Sequence, residues 1–215
     1  MWPWSVGLDA EQLNRVNNSL TERTVRRGLL VCRTGEDARY WYGVLDGLVK
    51  MSTVTAKGED LSFIGIATGG WFGEGTLLKA ERRRYDIITL RDSRLVLMPR
   101  KVFLSLVESS PPFAQWLLFQ LNERLSQFIA LLANDRTSST DVRIARTLAW
   151  MFNPYLYPGM ARDIPITQDE IAHLANVSRS RTNEALHRLA SANLVQIGYG
   201  HVTVVDIEGL REFDG

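Results

Sequence analysis

Apolar and polar positions follow a strand-like pattern through the first half of the chain and a helix-like one through the second. After a helix-like start over residues 9–20, short apolar runs fill residues 24–42, broken by Gly28, Gly35 and Glu36-Asp37. Residues 42–51, 61–66, 85–90 and 94–98 are β-rich segments of strand length. Turn residues separate them at Asp46-Gly47, Lys57-Gly58 and Gly69-Gly70. Short strands at that spacing predict an antiparallel barrel or jelly roll.

The period changes at Pro111-Pro112. Residues 113–134 contain no Gly or Pro, and Leu118, Leu121, Leu125, Phe128 and Leu132 recur at alternating spacings of three and four. That is the seam rhythm of two packed helices. Trp116, Leu117, Phe119, Ile129 and Leu131 fall off the stripe, so the helix is apolar on more than one side and needs two covers. The strand domain is expected on one side and a second copy of the helix on the other; a helix buried inside a monomer is the alternative. Polar residues 135–140 mark a hinge, 141–152 a second helix ended by Asn153-Pro154, Pro158-Gly159 a loop and Ile164-Pro165-Ile166 a short strand. The expected organisation is α+β: a strand domain over 1–110, a long helix with its hinge over 111–137, and a helical domain over 138–215.

Thr167-Gln168-Asp169-Glu170 is a capping box, in which the Thr167 hydroxyl meets the amide three residues on and Glu170 reaches back. It starts a helix with Ile171, Leu174 and Ala175 inside, and Asn176 suits the left-handed residue that ends it. Ser178 caps a second helix over 179–191, with Thr182, Ala185, Leu186 and Leu189 inside. Two short helices across so brief a turn form a helix-turn-helix. Arg179, Ser180, Arg181, Asn183 and Glu184 fall at the start of the second helix, the end that enters a major groove. Arg179 suits guanine, Asn183 adenine and Glu184 cytosine. Thr167, Gln168 and Ser178 are expected on phosphates. Residues 194–197 and 202–205 flank Gly198-Tyr199-Gly200-His201 as a hairpin, and a helix-turn-helix followed by a hairpin is a winged helix, with His201 a further candidate contact. The competing reading is a helical hairpin that only packs, with its arginines solvated.

Composition adds exclusions more than support. With 45% hydrophobic and 23% charged residues, the 215-residue chain has the balance of a soluble globular protein. Its net charge is +1, so a DNA reading rests on where individual arginines fall. No apolar run is long enough to span a membrane, Met1-Trp2-Pro3-Trp4-Ser5 does not read as a secretion signal, and the single Cys32 leaves no internal disulfide. A cytoplasmic setting is expected.

Ile166-Thr167-Gln168-Asp169-Glu170-Ile171, Val177-Ser178-Arg179, Leu194-Val195 and, upstream, Arg143-Ile144-Ala145 resemble the Crp/Fnr superfamily of bacterial transcription regulators. Gly35-Glu36, Leu45-Asp46-Gly47 and Phe72-Gly73-Glu74 look like that family's β-roll sensor. The resemblance runs nearly the whole chain in the order sensor, dimer helix, winged helix. It implies a β-roll like that of cyclic nucleotide-binding domains, a homodimer on a two-fold-symmetric double-stranded DNA site, and contact with RNA polymerase. Arg179 matches the family's first base-contacting arginine. Ser180 stands where many members have glutamate, and Glu184 where arginine is usual, so the operator is expected to differ.

The same resemblance puts Gly73, Glu74 and Arg84 in a phosphate-binding cassette and Arg124 on the long helix. Tyr85 replaces the cassette's small hydroxyl residue, and Phe128 and Ile129 stand where hydroxyl residues meet the base. A cyclic nucleotide is therefore disfavoured as effector but stays open. Pairing of Glu74 with Arg84, beside a solvated Arg82-Arg83 run, is the alternative. One cysteine cannot hold an iron–sulfur cluster, and His173, His187 and His201 all lie in the DNA-binding half, which leaves no histidine for haem or for a cupin-type metal in the roll. Cys32 reads as inert core rather than a redox switch. An enzyme is not expected, since neither a Gly-rich nucleotide loop nor a nucleophile elbow occurs. A regulatory module acting on a protein partner is disfavoured by the winged helix.

Overall fold

The computed structural model describes residues 2–54, 60–135, 139–158 and 160–215. The predicted Lys57-Gly58 turn, residues 136–138 of the predicted hinge, Gly159 and the side chain of Leu132 lie outside the described residues. A 3-10 turn (Pro3–Ser5) leads into α1 (Ala10–Ser19), which is capped by an Asp9–Gln12 box. Then come β1 (Thr21–Val25), β2 (Leu30–Cys32), β3 (Tyr40–Asp46), β4 (Leu48–Val54), β5 (Asp60–Ala67), β6 (Trp71–Phe72), β7 (Asp86–Thr89) and β8 (Ser93–Pro99). They form two antiparallel four-stranded sheets, ordered β1-β8-β3-β6 and β2-β7-β4-β5. The chain crosses between the sheets at Asp46-Gly47. Gly47 has φ +117°, and a Cβ there would lie 2.3 Å from Ser93 Oγ, so only glycine fits the corner.

Two cores hold the roll. Tyr42, Val44, Val49, Ile66, Phe72 and Ile87 fill the space between the sheets. On the opposite face of β3, Trp41 enters an aromatic core with Trp4, Trp71, Phe103 and Phe113. The Trp41 and Trp71 rings lie 4.1 Å apart, and Trp4 meets Phe113 edge-on at 5.8 Å. The N-terminal tryptophans are thus a plug, which the alternation of polar and apolar positions does not foretell. The single predicted helix after the strands is in fact two, and a further short helix, α2 (Glu74–Lys79), precedes β7. Helix α3 (Arg100–Ser109) buries Phe103 and Leu106, and α4 (Pro111–Asp135) follows across Ser110. Pro111 and Pro112 sit in the first turn of α4, where a missing N–H costs no intrahelical bond.

Helix α4 lies along the roll with Phe113, Leu117, Gln120, Arg124 and Gln127 buried. Gln120 and Arg124 both donate to the Trp71 carbonyl (3.1 Å each). Its exposed apolar face consists of Leu118, Phe119, Leu125 and Ile129, all more than half exposed. Of the predicted seam, Leu121 turns into the aromatic core and Phe128 packs on Phe63. The exposed stripe therefore differs from the predicted one, because the face contacting the roll takes two of its positions.

The C-terminal half consists of α5 (Thr140–Trp150), β9 (Asp163–Ile164), α6 (Gln168–Ala175), α7 (Arg179–Ser191), β10 (Val195–Gly198), β11 (His201–Val204) and α8 (Ile207–Glu212). β10, β11 and β9 pair as an antiparallel sheet, and α5 packs against α6, α7 and α8. The core between the roll's sheets continues into this half. Leu174 of α6 presses on Gly65 of β5, where a Cβ would come within 2.8 Å of it.

Candidate nucleic-acid interface

Helix α6 begins at the predicted box, with Thr167 Oγ1 accepting from the Glu170 amide (3.2 Å) and Glu170 Oε2 from the Thr167 amide (2.6 Å). Asn176 ends it at φ +51°. Ser178 Oγ caps α7 by accepting from the Arg181 amide (3.4 Å), and buried Thr182 donates to the Ser178 carbonyl (3.1 Å). These bonds fix the α6–α7 turn and aim the start of α7 outward. Arg179, Ser180, Arg181 and Glu184 are exposed there, and Asn183 is half-buried with its Oδ1 accepting from Gln168 Nε2 (2.9 Å). The Thr167 hydroxyl also donates to Glu170 Oε2 (2.9 Å), so it is engaged within the protein rather than free for a phosphate.

The wing joins β10 and β11 through Tyr199-Gly200, with Gly200 at φ +75°. His201 packs over Gly198, where a Cβ would lie 2.0 Å from its Nε2. Its Nδ1 is 3.3 Å from the Tyr199 carbonyl. Tyr199 projects fully into solvent at the tip, a position the sequence reading passed over although an aromatic residue between two glycines in a hairpin signals it.

The reader is tied to the roll by contacts between residues far apart in sequence. Arg91 donates to both carboxylate oxygens of buried Glu170 (2.9 and 2.8 Å), and Arg27 pairs with Asp169 (2.8 Å). Asn176 Nδ2 donates to the Ser62 carbonyl (2.6 Å), and the Ser62 amide donates to Asn176 Oδ1 (3.0 Å). The two carboxylates at the start of α6, which would repel a DNA backbone, are thereby neutralised by arginines of the roll.

Most of the predicted effector residues are engaged within the protein. Arg84 points outward and pairs with Glu81 (3.0 Å), and among the described residues no Glu74–Arg84 pair is formed. Arg83 is turned inward instead, where its backbone pairs with Gly35 and Glu36. Glu74 is buried and accepts from Trp41 Nε1 (3.3 Å), while Gly73 caps α2 at φ +99°. Arg124 is held by the Trp71 carbonyl, the Tyr157 hydroxyl (3.1 Å) and Gln127 (3.4 Å), and Phe128 by Phe63. Burial, then the Glu74 charge, push the Tyr85 phenol up to about 12. Cys32 is buried, and burial raises its thiol pKa. Among the described residues no group of three or more His, Cys, Asp or Glu could hold a metal ion, and no helix is long and apolar enough to cross a membrane.

A β-roll carrying a long helix, docked to a winged helix-turn-helix with an exposed recognition face, is the architecture of a class of DNA-binding regulators. Residues 22–110 match the model of the cyclic nucleotide-binding domain, and residues 142–213 that of the Crp-like helix-turn-helix domain. The chain belongs to the Crp/Fnr family of transcription regulators. It is 27% identical over 206 residues to the cyclic AMP receptor protein of Thermus thermophilus, covering 96% of this chain and 94% of the relative. It is 26% identical over 182 residues to the cAMP-activated global transcriptional regulator CRP of Haemophilus influenzae, covering 82% and 79%. The crystal structure of the Thermus thermophilus catabolite activator protein aligns at a TM-score of 0.53 and 26% identity over 98% of this chain and 97% of that one. FixK2 from Bradyrhizobium japonicum shares the fold at a TM-score of 0.75 and 17% identity, over 91% and 98%.

Proposed function

We propose that this Crp-like DNA-binding regulator acts in the cytoplasm as a homodimer on a two-fold-symmetric operator, under control of the β-roll. The observation that carries this reading is the exposed start of α7, where Arg179, Ser180, Arg181 and Glu184 stand clear of the body beside a projecting wing. Arg179 is assigned to guanine, Asn183 and Glu184 to further base edges, Gln168 and Ser178 to phosphates, and His201 with Tyr199 to the backbone beside the wing. The solvent-facing Leu118, Phe119, Leu125 and Ile129 supply the apolar strip on which a second α4 packs. The working division is a sensor over 1–110, a dimer helix and hinge over 111–137 and a reader over 138–215. As in other regulators of this class, RNA polymerase is the expected protein partner.

The relatives from Thermus thermophilus and Haemophilus influenzae are both named for cyclic AMP. That ligand is disfavoured here, because Glu74, Tyr85, Arg124 and Phe128 already have protein partners or lie in packed surroundings. Selection of bound sequences from random duplex DNA tests the function. Enrichment of an inverted repeat with half-sites about one helical turn apart is expected. Recovery of no common sequence overturns the reading.

A further inference from the structure

Asn183 stands on α7 one turn beyond Arg179, at the edge of the exposed recognition face. An asparagine amide reads adenine by accepting from N6 with its oxygen while donating to N7 with its nitrogen. Turned over, the same amide presents donor and acceptor in the wrong order. Its last side-chain bond has two broad positions of similar energy, so a lone asparagine does not choose between them. A second group that holds the amide one way round sharpens the reading.

Gln168, the first residue of α6, is placed to be that group. Its Nε2 donates to Asn183 Oδ1 (2.9 Å), joining the two helices between residues 15 apart in the chain. Both side chains are half-buried, so water competes less for this bond than for one on the open surface. Both ends are anchored as well. The Thr167–Glu170 box fixes the turn that carries Gln168, and buried Thr182 holds the first turn of α7 by donating to the Ser178 carbonyl. Among the described residues, neither amide makes another side-chain hydrogen bond. One lone pair of Oδ1 and both Nδ2 hydrogens are therefore left for a base, and the second Nε2 hydrogen of Gln168 for a phosphate.

We propose that Gln168 is a positioning residue that makes Asn183 an adenine reader, so that a residue outside the recognition helix determines one base of the operator. The assignment rests on α7 being the DNA-reading helix. A phosphate contact alone would make Gln168 act on all sequences alike. Holding the Asn183 amide makes it act on one base pair.

Gel shifts of the full chain on the selected operator, with all four base pairs placed in turn at each half-site position, test it. Asn183→Ala should level the preference at one position and so identify it, and the parent should favour adenine there by about tenfold. Gln168→Ala should remove most of that preference, leave the position read by Arg179 unchanged, and add nothing to the preference lost once Asn183 is alanine. Gln168→Glu, equal in size but without the donor, should lose the adenine preference too, and carries the test if the alanine variant melts below the parent. A uniform loss on every duplex with the adenine preference intact overturns the proposal. So does a parent preference for another base at that position, or an Asn183→Ala variant that levels none. Each of these results leaves the DNA-reading function standing, whereas failure to select any operator removes that function and this assignment with it.

Discussion

Replacing Glu170 by alanine removes the inner carboxylate of the Arg91 pair and half of the box that starts α6. The Glu170 side chain is 5% exposed and that of Arg91 28%, so the pair is largely shielded from water. Removing one partner of a buried pair costs about 3–5 kcal/mol. Arg91 keeps enough exposure to regain some hydration, which puts the expected loss near the lower end, about 3 kcal/mol. For a chain of this size that corresponds to roughly 6–12 °C in melting temperature. Asp169, whose pair with Arg27 is 39% and 64% exposed, makes the contrast: its alanine variant should lose about 0–1 kcal/mol. Urea unfolding followed through the six tryptophans, run as a double-mutant cycle on Arg91 and Glu170, isolates the pairwise part. A coupling energy below about 0.5 kcal/mol, or equal losses for Asp169→Ala and Glu170→Ala, would refute the reasoning.

Arg179→Ala should cost about 1–3 kcal/mol on the selected operator and little on unrelated DNA, as read by gel shift; equal losses on both exclude a base-reading role. In the proposed α4 dimer Leu125 would be buried from both copies, so Leu125→Glu should weaken it about 100-fold in analytical ultracentrifugation. Trp4→Ala should destabilise the chain by about 3–5 kcal/mol by emptying the aromatic core, whereas the signal-poor N-terminus alone predicts almost no effect. Half-buried Tyr85 has its phenol pushed up to about 12 from the ordinary 10, so the unfolded chain ionises first and stability should fall as pH rises through that window. Cys32, held as thiol by burial, should alkylate slowly until the chain is unfolded; native-state labelling at the unfolded rate would contradict its core position.

Local rules determined most of the reader. The Thr167–Glu170 box, the left-handed Asn176, the Ser178 cap and the Gly200 tip act within four residues of themselves, and the structure has all of them. The strand-rich half was legible for the same reason, since alternation and turn glycines such as Gly47 are short-range signals. What lay beyond the sequence was decided by contacts between distant segments. Whether Arg83 or Arg84 enters the roll depends on how residues 35–37 pair with 82–83, and a one-residue slip exchanges buried for solvated. Which face of α4 stays exposed depends on how it lies against the Trp41–Trp71 core, and a helix apolar on two sides does not choose between them. The Glu170 carboxylate reads as a cap in the sequence, and only the arrival of Arg91, 79 residues away, makes it the joint between the β-roll and the winged helix.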